Sequence, residues 1–194
     1  MIVTVDLLKK LLFSAAKRPS FAFSWVQKNV KYNLHSSIKV SSPIALSALQ
    51  NSYPSSAGSF QPELIESVFK PMLYFLCQIG SFLMVNAYPF FAYESNTDII
   101  SLDYALFREN PGVVVAGNGF RYFSLFDAQI DAVFAALSAL KYDDIKMVVT
   151  ETRWTSKGDE NEIGASIENA AAYNGNLVHR NQRATGEWRQ QLNK

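Results

Sequence analysis

The most informative segment of this chain is Ile145-Lys146-Met147-Val148-Val149-Thr150-Glu151-Thr152-Arg153-Trp154. Its run of apolar and β-branched residues is typical of a strand that a parallel sheet buries on both faces. Strands of this kind present their functional groups at the carboxyl end. Here that end carries the carboxylate of Glu151, with the aromatic ring of Trp154 close behind it. The segment therefore predicts a catalytic strand end in an α/β protein.

The rest of the chain repeats this alternation of strand and helix. From residue 38 onward, short apolar runs alternate with helical periodicities, which is the pattern of βα units around a parallel sheet. Two further strands are predicted, one from Ile38 to Ser42, which Pro43 stops, and one from Phe82 to Asn86. Four helices are predicted. The first has Ser59 as its cap and Gly80 as its stop, and its buried stripe consists of Ile65, Val68, Phe69, Met72 and Leu76. A short helix is predicted from Leu102 to Arg108, a third with an apolar face from Ile130 to Leu140, and a last one from about Glu162 to Tyr173 that closes at Asn174-Gly175. Cys77 lies within the first of these helices and is predicted to be a buried thiol.

The length and composition of the chain are those of a globular domain. With 194 residues, 48% of them hydrophobic and 18% charged, the chain is long enough to bury a substantial core. Its formal net charge of +1 gives no electrostatic reason to expect nucleic acid or an anionic membrane as a partner. No apolar run approaches the roughly 18 residues of a transmembrane helix, so no membrane span is expected. No His, Cys or carboxylate spacing indicates a metal site, and no phosphate-binding glycine loop is found, so no cofactor is predicted.

Two segments carry a resemblance to a known family. Glu151 and the loop Ser156-Lys157-Gly158-Asp159-Glu160-Asn161-Glu162 resemble the nucleophile signature of glycoside hydrolase family 17, the plant β-1,3-glucanases. The segment Asn86-Ala87-Tyr88-Pro89-Phe90-Phe91-Ala92-Tyr93 resembles the stretch that lines the glucan cleft in that family. Two positions depart from the family pattern, since Arg153 stands where the family has Gly and Thr155 stands where it has Pro. The resemblance implies a β-1,3-glucan polysaccharide or oligosaccharide as the partner.

The resemblance also implies the fold and its extent. The family fold is a TIM (β/α)8 barrel, which needs about 250 residues, and the resemblance covers about residues 27–180, corresponding to the fifth to seventh βα units. We therefore expect a partial barrel with parallel strands, flanked by a non-family N-terminal segment at 1–26 and a non-family polar tail at 181–194. A truncated or rearranged gene would explain such ends. Self-association through the open barrel edges is expected of such a fragment.

The resemblance assigns roles to residues of this chain. Glu151 matches the nucleophile of a retaining mechanism, in which one carboxylate attacks the anomeric carbon and a second protonates the leaving oxygen. Tyr88 is the best candidate for sugar binding, because a flat ring with a polar handle suits the apolar face and hydroxyl rim of a sugar. The other candidates for the substrate site are Asn86, on the strand face of Tyr88, Phe91 and Tyr93, at a cleft rim, and Trp154, which is predicted to pack below the cleft.

Two features of the sequence weigh against catalysis. The general acid/base of the family lies in a Val-Gly-Asn-Glu motif, which these 194 residues do not contain, and Glu94 does not match it. Arg153 shares the strand face of Glu151, so its guanidinium is expected to reach into the space of the sugar and to oppose the positive charge of the transition state.

Two functions therefore stay open. The first is a β-1,3-glucan endohydrolase of carbohydrate metabolism or plant defence, truncated and weakly active or inactive. The second is a non-catalytic pseudoenzyme fragment that binds glucan or has no carbohydrate role. Members of the family are usually secreted, in the cell wall or vacuolar, but the apolar core from Leu11 to Ala16 is short for a signal peptide, so the compartment stays open.

Overall fold

The computed structural model describes residue 39 and residues 41–115, 119–159 and 162–183. The strands are β1 (Pro43–Ala45), β2 (Leu49–Asn51), β3 (Ser59–Phe60), β4 (Phe82–Asn86), β5 (Val113–Val114), β6 (Arg121–Tyr122) and β7 (Lys146–Glu151). The main helices are α1 (Lys70–Gln78), α2 (Pro89–Glu94), α3 (Leu102–Ala105), α4 (Leu125–Ala139) and α5 (Ile167–Arg183). A helical turn at Pro62–Leu64 and a π-helical segment at Ile65–Phe69 lead into α1, and 3-10 turns occupy Leu46–Ala48 and Ser55–Ala57.

The chain divides into two compact units, and the first contains the main sheet. This unit holds Gly58–Asn86, Val133–Thr150 and the described residues up to Asn51. Its sheet has the order β1-β4-β7, and β1 pairs with β4 in parallel, with Ile44 opposite Val85. In β4 the side chains alternate, and Leu83 and Val85 are 0% exposed while their neighbours are half-buried. Parallel strands joined through helices confirm the predicted α/β class.

The second unit holds Ser52–Ala57, Ala87–Ala132 and the described residues from Glu151 onward. Its core is rich in aromatic rings, and Phe90, Trp154 and Tyr173 are all buried there. Ser124 caps the start of α4, because its hydroxyl accepts a hydrogen bond from the backbone N–H of Asp127 at 3.1 Å. The carboxylate of Asp127 in turn forms a 2.5 Å ion pair with Arg180 of α5.

Several predicted elements match the structure, and others do not. Ser59, predicted as a helix cap, lies in β3, and the short helix predicted to reach Arg108 ends at Ala105. The strand from Phe82 to Asn86 is confirmed residue for residue. The first strand was expected to stop at Pro43, but β1 begins there; proline lacks a backbone N–H and is tolerated as the first residue of a strand. Ile38 and Val40 lie outside the described residues, as do the predicted N-terminal segment and most of the predicted tail.

The last helix differs most from its prediction. It was expected to close at Asn174-Gly175, but α5 runs from Ile167 to Arg183 and passes through both residues. A glycine inside a helix costs about 1 kcal/mol relative to alanine. Contacts beyond it compensate, because Asn176 donates a hydrogen bond to the carbonyl of Leu106 at 2.9 Å. Tertiary contacts therefore outweigh the local stop signal.

Two burial predictions are also wrong. Cys77 is exposed, because it follows Leu76 on α1 and lies off the stripe that packs inward. Strand β7 was expected to be buried on both faces, but its residues are exposed or half-buried, and Val148 is 41% exposed. Among the described strands β7 lies at the end of the sheet order, which leaves one side without a strand neighbour.

Candidate active site

The candidate site begins where β7 ends. Glu151 is the last residue of this strand, and the side chains after it alternate in their surroundings. Glu151 and Arg153 are exposed, whereas Thr152 is half-buried and Trp154 is only 3% exposed. Successive side chains of an extended backbone point to opposite faces. The alternation therefore presents a carboxylate and a guanidinium together on the solvent side.

Two hydrogen bonds hold the buried side of this segment. The hydroxyls of Thr152 and Tyr173 lie 2.5 Å apart, and Tyr173 is 0% exposed. The indole N–H of Trp154 donates to the carbonyl of Gly164 at 2.9 Å. Burial raises the pKa of Tyr173 to about 12, although the hydrogen bond with Thr152 lowers it, so the phenol is neutral at physiological pH. These anchors fix the backbone that carries Glu151 and Arg153.

Tyr88 lies against this strand end. The backbone N–H of Ala87 donates to the carbonyl of Glu151 at 2.9 Å, which places the start of the Tyr88 segment beside the carboxylate. The hydroxyl of Tyr88 donates a hydrogen bond to the side chain of Glu151. Burial raises the pKa of Tyr88, the hydrogen bond and the charge of Glu151 raise it further, and the charge of Arg153 lowers it. The phenol is therefore neutral at physiological pH and donates to the carboxylate of Glu151.

The ring of Tyr88 has two further neighbours. The guanidinium carbon of Arg153 lies 5.7 Å from the centroid of this ring, within the range of a cation–π contact. The ring of Phe91 meets Tyr88 edge-on, with centroids 5.9 Å apart and an interplanar angle of 72°. Phe91 is 54% exposed, which agrees with a position at a rim. The structure thus brings together Tyr88, Phe91, Glu151 and Arg153.

Tyr93 and Trp154 lie beneath this surface. Tyr93 is 7% exposed, and its ring centroid lies 5.6 Å from that of Trp154. Gly164 closes over both rings in a left-handed conformation with φ of +90°, and a Cβ there would lie 2.6 Å from the ring of Tyr93. Packing beneath the site agrees with the prediction for Trp154. For Tyr93 this burial favours a supporting position over the predicted cleft rim.

Asn86 belongs to the first unit and has a partner of its own there. It is the last residue of β4, and its side-chain oxygen accepts a hydrogen bond from the hydroxyl of Thr150 at 2.8 Å. This bond orients the amide at the carboxyl end of the sheet. A role of Asn86 in sugar binding stays a prediction.

Sequence reasoning missed the pair of Thr152 and Tyr173, which supports the site most directly. The period of two along the strand indicates that Thr152 faces away from Glu151, but it does not indicate a partner. Tyr173 lies in α5, 21 positions further along the chain. Only the tertiary structure brings these hydroxyls together.

Within residues 39, 41–115, 119–159 and 162–183, no group of three His, Cys, Asp or Glu side chains is arranged to hold a metal ion. None of the helices in these ranges is long and apolar enough to cross a membrane.

Comparison with solved structures gives the fold a context. A β-1,3-glucanase and allergen of Cryptomeria japonica pollen superposes with a TM-score of 0.71 and 39% identity, covering 79% of this chain and 46% of that one. A plant β-glucan endohydrolase superposes with a TM-score of 0.70 and 28% identity, covering 88% of this chain and 66% of the other. These neighbours confirm the α/β class and agree with part of a (β/α)8 barrel.

Sequence relatives agree with the structural neighbours. Glucan endo-1,3-beta-glucosidase 11 of Arabidopsis thaliana is 46% identical over 145 residues, which are 75% of this chain and 34% of the relative. Glucan endo-1,3-beta-D-glucosidase of Olea europaea is 43% identical over 147 residues, which are 76% of this chain and 32% of the relative. The chain thus spans about a third of the length of these curated relatives. Residues 22–191 match the family described as Glycosyl hydrolases family 17, and the chain belongs to that family.

Proposed function

We propose that this chain is a β-1,3-glucan endohydrolase of the retaining type, in which Glu151 is the nucleophile, and that it hydrolyses glucan weakly or not at all by itself. The observation that supports the nucleophile is the hydrogen bond from Tyr88 to Glu151 at an exposed strand end. That bond orients the carboxylate at the strand end, where it is exposed to an incoming sugar. The family of the chain and the names of its relatives support β-1,3-glucan as the substrate.

The substrate would lie along the aromatic surface beside the carboxylate. Tyr88 presents a half-buried ring, and Phe91 extends the surface with a 54% exposed ring at 72° to it. Aromatic rings bind the apolar faces of sugars, and a phenol adds a hydrogen bond to their hydroxyl rim. Tyr93 and Trp154 pack beneath this surface.

Low activity is expected because these residues lack the family motif that carries the proton donor. Glycoside cleavage needs a second carboxyl group to protonate the leaving oxygen, and in a retaining enzyme it lies about 5 Å from the nucleophile. The family motif that carries this group is not in these residues, so we propose that the chain is a truncated form of the enzyme. Loss of general acid catalysis costs roughly 10²–10⁴-fold in rate.

The test uses a substrate whose cleavage needs the nucleophile but not the proton donor. A β-laminaribiosyl fluoride needs no protonated leaving group, because fluoride departs as a stable anion when a carboxylate attacks the anomeric carbon. We expect the chain to release fluoride from this substrate but to release reducing sugar from laminarin at background rate.

Matched variants decide whether Glu151 is responsible. Glu151→Gln should abolish fluoride release, and Glu94→Gln, a change of another carboxylate in the same unit, should leave it intact. Fluoride release that survives Glu151→Gln would refute the assignment of the nucleophile. Laminarin hydrolysis well above background that needs Glu151 would refute the proposal of low activity.

A second candidate function is a glucan-binding protein without catalysis. The contact between Arg153 and the ring of Tyr88 favours it, because a cation beside Glu151 opposes the positive charge that develops on the sugar. Binding of laminarihexaose without fluoride release from the activated substrate would support this second function over the first.

A further inference from the structure

The side chain of Tyr88 has three neighbours in the candidate site. Its hydroxyl is held by Glu151, its edge meets Phe91, and the guanidinium of Arg153 lies over the ring with its central carbon 5.7 Å from the centroid. Each contact uses a different part of the side chain. The face beneath the guanidinium is therefore already occupied within the chain itself.

A sugar and a guanidinium compete for the same kind of surface. A glucose ring packs its apolar C–H face on an aromatic face, and an arginine packs its planar cation on the electron-rich face of the same ring. Both need the ring within a few ångströms, so both cannot occupy one face together. The ring of Phe91 stands at 72° to that of Tyr88, so a sugar that packs on Phe91 does not thereby cover the face of Tyr88.

The orientation of Arg153 follows from the extended segment after β7, which is anchored on both sides of this residue. Thr152 is anchored on one side by Tyr173, and Trp154 is anchored on the same side by Gly164. Arg153, between them, therefore points to the face that Glu151 occupies, and its exposed side chain reaches the neighbouring ring. The guanidinium remains free to swing into solvent, because its stem is flexible and exposed.

We propose that Arg153 is a specificity-determining residue that covers the sugar-stacking face of Tyr88, so that a neutral glucosyl unit binds only when the guanidinium leaves the ring. This inference rests on the proposed glucan-binding function. The cost of displacing the arginine is small but measurable. Cation–π contacts at exposed positions shift an equilibrium about two- to fivefold. The chain therefore binds neutral β-1,3-glucan more weakly than its aromatic surface alone would allow.

The experiment compares laminarihexaose affinity between the chain and two charge-removing variants. Arg153→Ala should bind about two- to fivefold more tightly than the unchanged chain in a calorimetric or NMR titration. Lys146→Ala removes an exposed positive charge at the start of β7, the opposite end of the strand from Glu151, and should leave the dissociation constant unchanged. Arg153→Lys keeps the charge and should gain less affinity than Arg153→Ala. All three changes are at exposed side chains, so the fold is expected to be retained.

A second readout reports on the contact without any sugar. Because the guanidinium carbon of Arg153 lies 5.7 Å from the centroid of the Tyr88 ring, the side-chain protons next to the guanidinium should show an upfield ring-current shift, which Tyr88→Leu should remove. The Tyr88→Leu change should also cancel the gain in affinity from Arg153→Ala.

The outcomes separate the two proposals. Tight binding by the unchanged chain, with no gain in Arg153→Ala, would overturn the role of Arg153 and leave the glucan-binding function standing. Equal gains in Arg153→Ala and Lys146→Ala would overturn it too, because they would indicate a general charge effect. No binding by any variant, with the ring-current shift present, would overturn both the proposed function and this inference while leaving the contact itself intact.

Discussion

The hydrogen bond between Thr152 and Tyr173 should stabilise the fold as well as aim the site. Tyr173 is 0% exposed and Thr152 is half-buried, so water does not readily replace either partner. A net hydrogen bond contributes about 1 kcal/mol, and a buried polar group left without a partner costs about 1–3 kcal/mol. Tyr173→Phe should therefore lower the free energy of unfolding by about 1–2 kcal/mol. Thr152→Val should lower it by a similar amount, because it leaves the buried phenol without a partner.

The double variant isolates the interaction. Thr152→Val with Tyr173→Phe removes both hydroxyls, so neither is left buried and unpaired. The combined loss should be smaller than the sum of the single losses by about 1 kcal/mol, which is the coupling energy expected of residues in direct contact. Tyr74→Phe is the matched control. Because Tyr74 is 59% exposed, this variant should lower the free energy of unfolding by only about a few tenths of a kcal/mol.

Urea unfolding followed by near-UV circular dichroism measures these free energies. The single variants should shift the midpoint to lower urea with an unchanged slope, since the surface exposed on unfolding stays the same. Losses that add to within about 0.3–0.5 kcal/mol would refute the reasoning, because that is the scatter of independent sites. Such a result would mean that the two hydroxyls do not interact in solution.

Three further predictions concern other parts of the chain. Gly164→Ala should destabilise the fold by about 1–3 kcal/mol, because φ is +90° and the new Cβ would lie 2.6 Å from the ring of Tyr93; an unchanged melting temperature would contradict it. Burial raises the pKa of Asp131 to about 6, above its unfolded value of about 4, although a hydrogen bond from Tyr122 lowers it. The folded state therefore binds more protons between these values, and the free energy of unfolding should fall as pH rises from about 4 to 6. Asp131→Asn should flatten this fall in urea titrations at each pH, and an identical slope would refute the assignment. Finally, β7 ends the described sheet and Val148 is 41% exposed, so the chain should self-associate. Light scattering should show an apparent mass above that of the monomer, and Val148→Lys should lower this apparent mass. A monodisperse monomer for the unchanged chain would contradict this prediction.

The sequence predicts the elements best where local and tertiary preferences agree. Strand β4 is an apolar run with Gly80 as a stop just before it, and its bounds are confirmed. The buried stripe before it is confirmed at Phe69, Met72 and Leu76. In these segments the hydrophobic period alone specifies the structure, since nothing distant in the chain competes with it.

Predictions fail where a distant partner overrides a local signal. The Asn174-Gly175 pair is a common helix stop, but contacts on either side of it, at Tyr173 and Asn176, keep α5 continuous. The exposed positions of β7 could not be inferred from its apolar composition, because exposure depends on which neighbours the strand has. The shared face of Glu151 and Arg153 was predicted from alternation, whereas the contact of Arg153 with Tyr88 required the tertiary structure.

The support beneath the site also explains why changes at different positions should have different consequences. Phe90 is 1% exposed, and its ring makes edge-on contacts with two others. The distance between ring centroids is 5.7 Å to Phe91 and 5.2 Å to Trp154. Phe90 therefore joins the exposed surface to the buried core through rings that pack with fixed geometry. A truncation at Phe90 would change stability and sugar binding together, because it leaves a cavity under the surface. A truncation at Arg153 removes only an exposed contact, so it should change binding while leaving the free energy of unfolding nearly unchanged.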